Sequence, residues 1–322
     1  MLAAIRSSVK IQGVLCVVLG MVALSFQDSL IKKMSGDYPL HEIILGRACV
    51  AILLTAFFAH LEGGLALLRT RRLAPHLARG ILLVISNVCY FLALAALPLA
   101  EAAGIFFVAP LFITVLSVPF LGERVGAWRW AAVFMGLAGV VVMLRPGDGL
   151  LEIAALLPIG AALTYATMQI LTRRLGVTER ASTLAFYVQL CFIVASATFG
   201  LIAGDGRFAG SGHPSLEFLL RAWTWPSGID ALLIVSCGFL IGTAAYLLSQ
   251  AYRIAEANLL APFEYTALPL AVLWGVLWWG DWPDATAFLG IALILGSGLF
   301  VFYRETLRGH LIATRQPMPR NR

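Results

Sequence analysis

The chain has 322 residues, 60% of them hydrophobic and only 12% charged, with a mean hydropathy of +0.89. Soluble domains carry about 25% charged residues, so this composition describes a polytopic membrane protein rather than a pair of soluble domains. The net charge of +6 does not point to nucleic acid, because the basic residues sit in short loops and a C-terminal tail.

The first apolar run, Ile11 to Ile31, follows a basic N-terminus and faintly resembles a secretory leader. It extends about 21 residues, has no clean small-x-small cleavage site and is followed by many more apolar runs, so it is expected to remain as a first helix. Ten apolar segments can be drawn: 11–31, 40–61, 78–97, 99–121, 127–144, 151–172, 181–203, 230–252, 256–279 and 284–303. At 1.5 Å per residue, about 20 residues cross roughly 30 Å of hydrocarbon, so the expected fold is all-α with ten transmembrane helices. Most linkers are short, which predicts an antiparallel bundle. The exception is 204–229, rich in Gly, Ser and Pro, whose Trp223 and Trp225 suit an interfacial belt and whose 215–222 stretch reads as a short surface helix.

Orientation follows from the basic residues. With the N-terminus in the cytoplasm, 17 of the 23 Lys and Arg face that side and five face the other, with Arg47 inside a span. That bias predicts both termini in the cytoplasm and an even number of spans, and the expected location is the inner membrane. The tail 304–322 is basic and is expected to lie near anionic lipid at most. The five cysteines fall inside apolar runs without CxxC spacing, and no histidine has a partner at metal-ligand spacing. There is no HExxH, GxSxG or Walker loop, so neither an enzyme activity nor a cofactor is expected.

An internal repeat divides the chain. Ala23-Leu24-Ser25-Phe26 in span 1 matches Ala162-Leu163-Thr164-Tyr165 in span 6, and each is followed by a basic pair, Lys32-Lys33 and Arg173-Arg174. Tyr90-Phe91-Leu92, then Ala100-Glu101-Ala102, matches Tyr246-Leu247-Leu248, then Ala255-Glu256-Ala257. Gly122-Glu123 after span 4 mirrors Gly280-Asp281 after span 9. Five spans per half is an odd number, so the halves must sit inverted, and inverted repeats place a substrate at their interface near the midplane.

Ten spans, two five-helix halves and a Gly-acidic end before a glycine-rich helix (Gly136-Leu137-Ala138-Gly139-Val140; Gly290, Gly296, Gly298) resemble the drug/metabolite transporter superfamily, EamA type. The resemblance covers repeats at 11–145 and 151–303, with Asp281 where Glu is commoner. The stretches around Gln27-Asp28 and Glu264 are similar to a bacterial subgroup named as riboflavin or S-adenosylmethionine transporters. The resemblance implies that spans 5 and 10 assemble the fold or a homodimer, outside the pathway.

The candidate substrate or coupling residues are polar and aromatic groups within spans. Arg47 on span 2 and Asp28 on span 1 lie at compatible depths, as a gating or coupling pair or a structural ion pair, or with Arg47 facing a substrate anion or snorkelling to the outer interface beside Lys32, Lys33 and Glu42. Ser86, Asn87 and Tyr90 share a face of span 3, as do Tyr165, Gln169 and Thr172 on span 6 and Thr243, Tyr246 and Gln250 on span 8. Each group is either interhelical glue or part of a shared polar cavity. Phe106, Phe107 and Phe112 on span 4 either stack on an aromatic ligand or fill the bundle. Glu264, beside Tyr265 and between Pro262 and Pro269, is the sharpest candidate. A charge there costs on the order of 3 kcal/mol, so it should line a cavity, exchange a proton or meet a cationic group. The alternative is a protonated carboxyl bonded to a neighbouring helix. These residues predict a transporter of a small organic metabolite: an amino acid, a vitamin or a nucleoside-like cofactor. The competing readings are a broad drug efflux pump and a non-transport membrane scaffold.

Overall fold

The computed structural model of the chain describes residues 2–70, 72–122, 125–144, 153–175, 181–254, 260 and 263–308. Among these there is no strand, and eight helices are long and apolar enough to cross a membrane. Two shorter apolar helices, Ala267–Trp279 and Ala285–Val301, complete the ten apolar segments of a multi-pass membrane protein. The helices are α1 (Leu2–Met34), α2 (Leu40–Gly63), α3 (Leu73–Ala96), α4 (Leu99–Phe106), α5 (Ala109–Leu121) and α6 (Ala127–Leu144). They continue as α7 (Ile153–Leu175), α8 (Ala181–Ala203), α9 (Pro214–Leu220), α10 (Gly228–Ile254), α11 (Ala267–Trp279) and α12 (Ala285–Arg308).

The fourth span is broken at Phe107–Val108, between α4 and α5, just before Pro110. A turn at Tyr265–Thr266 precedes α11, just before Pro269. Proline removes the N–H that would serve the carbonyl four residues back, so the helix yields upstream of it. Tyr265 shows the repair: its carbonyl accepts from the Leu268 N–H at 3.1 Å. Both broken spans end the same way. Gly122 (φ +68°) and Gly280 (φ +70°) cap α5 and α11 in the left-handed region, which an L side chain rarely adopts, and donate to Val118 and Val276. Glu123, beyond the first cap, lies outside the described residues, as do Glu256 and Pro262.

Helix pairing runs across the chain. α1 packs on α10 and α11, α3 on α7 and α8, α2 on α8 and α10, α4 on α7 and α11, and α6 on α12. The α6–α12 contact is backbone against backbone: a Cβ on Gly139 would lie 2.9 Å from the Gly290 carbonyl oxygen. Gly296, grouped with these glycines in the sequence, faces open space instead. Gly139→Leu is therefore expected to destabilise the bundle by about 2 kcal/mol, because no flexible side chain can give way. Thermal unfolding in detergent would register this, with Gly296→Ala as the unaffected control.

The 204–229 linker lies over one end of the bundle, the end at which α1 meets α2 and α3 meets α4. Phe218 of α9 is fully buried there, worth about 2–3 kcal/mol, and Ser215 Oγ donates to the Leu92 carbonyl at 2.7 Å. Arg221 donates to the Ser35 carbonyl at 3.0 Å, and the Thr224 N–H to Glu42 Oε2 at 3.2 Å. The Gly212 and Gly210 N–H groups hold the Glu217 carboxyl below the usual carboxylate range and knot the loop ahead of α9. Trp225 is exposed, as an interfacial residue should be, while Trp223 turns its edge to His41 at 5.7 Å.

Candidate functional site

Three helices bring five of the candidate residues into one hydrogen-bonded chain. Arg47 of α2 is only 2% exposed. Its guanidinium donates to Gln27 Oε1 of α1 at 2.9 Å and to Asn87 Oδ1 of α3 at 2.5 Å. The Gln27 amide, oriented by that bond, donates through Nε2 to Asp28 Oδ1 at 3.1 Å. Asp28 Oδ2 accepts from the Tyr90 hydroxyl at 3.2 Å. The Asp28–Arg47 pair thus exists, but the Gln27 amide joins it instead of direct contact. The Phe91 and Phe192 rings flank the guanidinium at 5.2 and 5.4 Å, so the charge is held by amide oxygens and ring faces.

From Tyr90 the site continues as a row of rings. Tyr90 and Phe106 lie 5.2 Å apart between centroids, Phe106 and Tyr165 5.7 Å, and Phe106 and Phe107 6.3 Å. Phe107 and Tyr265, each at a helix break, meet at 5.4 Å. The Tyr165 hydroxyl accepts from Gln169 Nε2 at 2.8 Å. Glu264, next to Tyr265, lies within electrostatic reach of the Tyr165 and Tyr265 hydroxyls. Tyr265 packs so closely on Gly298 of α12 that any side chain there would displace its hydroxyl. The arrangement offers a cation–carboxylate unit at one end, a carboxyl at the other, and ring faces and edges between them, which is the chemistry that holds a planar solute with polar substituents.

Other candidates lie elsewhere. Tyr246 of α10, the repeat match of Tyr90, stacks on Phe58 of α2 at 4.1 Å, and Gln250 follows one turn later. Ser86 donates to the Ala161 carbonyl of α7 at 2.8 Å and serves as interhelical glue. The Thr172 side chain is outside the described residues. Sequence reasoning missed His41, buried between Phe199 and Trp223. It lines a cavity of about 160 Å³ between α2, α3, α8 and α9 that also reaches Asn87. The only sequence signal for His41 was its place at the start of an apolar helix.

Residues 11–145 match the EamA-like transporter family. The chain is 33% identical over 245 residues to a riboflavin transporter of Rhizobium johnstonii, covering 76% of this chain and 75% of that one. It is 25% identical over 295 residues to an S-adenosylmethionine uptake transporter of Rickettsia prowazekii, covering 92% of this chain and 94% of the relative. A protein crystal structure superimposes with a TM-score of 0.62 at 23% identity, over 94% of this chain and 99% of the other, which shows a shared fold.

Proposed function

Because this chain belongs to the EamA-like transporter family, within the drug/metabolite transporter superfamily, we propose that it is a secondary transporter of a planar, polar organic metabolite. The observation that carries this reading is the hydrogen-bonded chain from half-buried Asn87 through buried Arg47 and Gln27 to Asp28 and Tyr90, continuing into the ring row that ends at Glu264. Riboflavin and S-adenosylmethionine, the solutes named for the two relatives, each join a heteroaromatic ring to polar groups. A vitamin or nucleoside-like cofactor fits these contacts better than a small aliphatic amino acid does.

The route is alternating access, with the halves 11–145 and 151–303 as inverted repeats rocking about the site. Several features support the repeat. Exchanging the halves converts the α1–α10 contact into the α7–α3 contact, and the breaks and glycine caps occur in spans 4 and 9 alike. The basic-residue bias supports cytoplasmic termini in the inner membrane. Glu264 is the group proposed to exchange a proton with the transport step.

The test is reconstitution in vesicles with labelled riboflavin, S-adenosylmethionine and aromatic amino acids, with and without a pH gradient. Saturable flux of a heteroaromatic solute is expected. Folded protein that moves none of these solutes under either condition would sink the reading.

A further inference from the structure

The cavity beside Asn87 contains a polar group that the Arg47 chain does not use. His41, at the start of α2, lines it and is only 3% exposed, and neither of its ring nitrogens is in hydrogen-bond geometry with any described group. The Leu219 backbone of α9 acts on the ring only through space. The imidazole is also held where it is. Phe199 and Trp223 lie 5.5 and 5.7 Å from it between ring centroids. A Cβ on Gly200 of α8 would lie 3.3 Å from its Cδ2 and 2.6 Å from the Trp223 ring. A buried imidazole without a partner gives up its bonds to water for nothing, so its place favours an occupant that supplies a bond.

The chemistry of the walls narrows that occupant. The cavity volume is about 160 Å³. An apolar cavity of about 150 Å³ in another protein admits benzene, so this one has room for a single aromatic ring with a small substituent. Ile44, Val84, Phe192 and Leu219 bring carbon to the walls from four helices, while His41, Asn87 and Ser196 are the polar side chains of the lining. A cluster of waters needs about two to four polar partners for each molecule, more than such walls supply. An acyl chain suits the walls but offers nothing to the imidazole. A hydroxyl donates and accepts at once, so it satisfies whichever ring nitrogen faces it.

We propose that this cavity is a binding site for a one-ring aromatic solute of the phenol class, with its ring against Val84 and Phe192 and its hydroxyl on His41. The Phe192 ring also flanks Arg47, and Asn87 accepts from it, so the site adjoins the Arg47 chain. The inference does not rest on the transport reading above, because its test is binding alone.

The experiment titrates phenol, with toluene as the matched apolar solute, into full-length protein carrying nitrogen-15-labelled histidine. It is run in detergent micelles and in nanodiscs at about pH 8, where an ordinary histidine is neutral. The chain has five histidines, and the His41 ring signals are those lost in His41→Gln. Phenol is expected to shift these signals saturably, and toluene to bind roughly tenfold more weakly because it leaves the imidazole unpaired. Ala195→Leu, which fills the cavity from α8, should abolish the shift; if it aggregates, Val84→Phe does the same from α3. No shift, or one that rises linearly as phenol partitions into the micelle, overturns the proposal. So does toluene binding as tightly as phenol, or a shift that survives filling of the cavity. Binding in micelles that disappears in nanodiscs also overturns it, because a lipid chain then holds the cavity.

Discussion

Arg47→Lys is expected to lower transport by roughly thirtyfold, the equivalent of about 2 kcal/mol for one lost charged hydrogen bond, while the protein still folds. The guanidinium reaches Gln27 and Asn87 on two different helices from one planar group and lies against the Phe91 and Phe192 rings. An ammonium in the same place is a compact point charge without the planar fork, so one amide oxygen loses its donor and the ring contacts weaken. Arg47→Gln should behave differently. It leaves the half-buried Asp28 carboxylate inside the bundle without its cation, and breaking such a pair from one side costs up to about 3–5 kcal/mol, enough to lower folded expression sharply. Combining Arg47→Gln with Asp28→Asn removes both charges and should restore expression without restoring transport. Uptake assays on that double variant separate the two roles. Transport at the parent rate would make Arg47 and Asp28 a structural pair, and folded but inactive protein would place them in the site.

The scaffold was legible because a membrane leaves few solutions: each backbone polar group must be satisfied within its own helix, so apolar runs of about 20 residues read directly as spans. The drawn segment 40–61 appears as Leu40–Gly63, and 127–144 as Ala127–Leu144. The break in span 4 was not legible as a break. Pro110 is visible in the sequence, but a proline in a membrane helix is compatible with either a bend or a full interruption. In the site, helical spacing put Asn87 and Tyr90 on one face, and depth matched Asp28 with Arg47. It could not show that Gln27 stands between the two charges, because that depends on how α1 is rotated against α2. Tyr246 shows the limit of the repeat in the same terms. It matches Tyr90 in sequence, yet it stacks on Phe58 of α2 where Tyr90 bonds Asp28 of α1, and α2 and α1 are not counterparts in the repeat.

Glu264→Gln is expected to erase the difference in flux between vesicles with and without a pH gradient while leaving expression near normal. Glu264 lies one residue ahead of the Tyr265–Thr266 turn and within electrostatic reach of the Tyr165 and Tyr265 hydroxyls, where the halves meet. The cap-to-cap register that matches Gly280 with Gly122 sets Tyr265 opposite Phe107, and these two rings touch at 5.4 Å. By the same register Glu264 corresponds to Phe106, so a carboxyl occupies one half where the other has a ring. In the proposed rocking of the two halves, that asymmetry would supply a polarity. A rearrangement at the two breaks changes how much water the carboxyl meets, and water contact governs its affinity for a proton. Glutamine keeps the shape and hydrogen-bonding capacity but carries no exchangeable charge, so packing survives and coupling does not. Glu264→Asp should retain the pH response at a lower rate. A full pH response in Glu264→Gln would move the coupling site to Asp28, the other carboxylate bonded within the site, and leave Glu264 as a hydrogen-bonding group at the helix break.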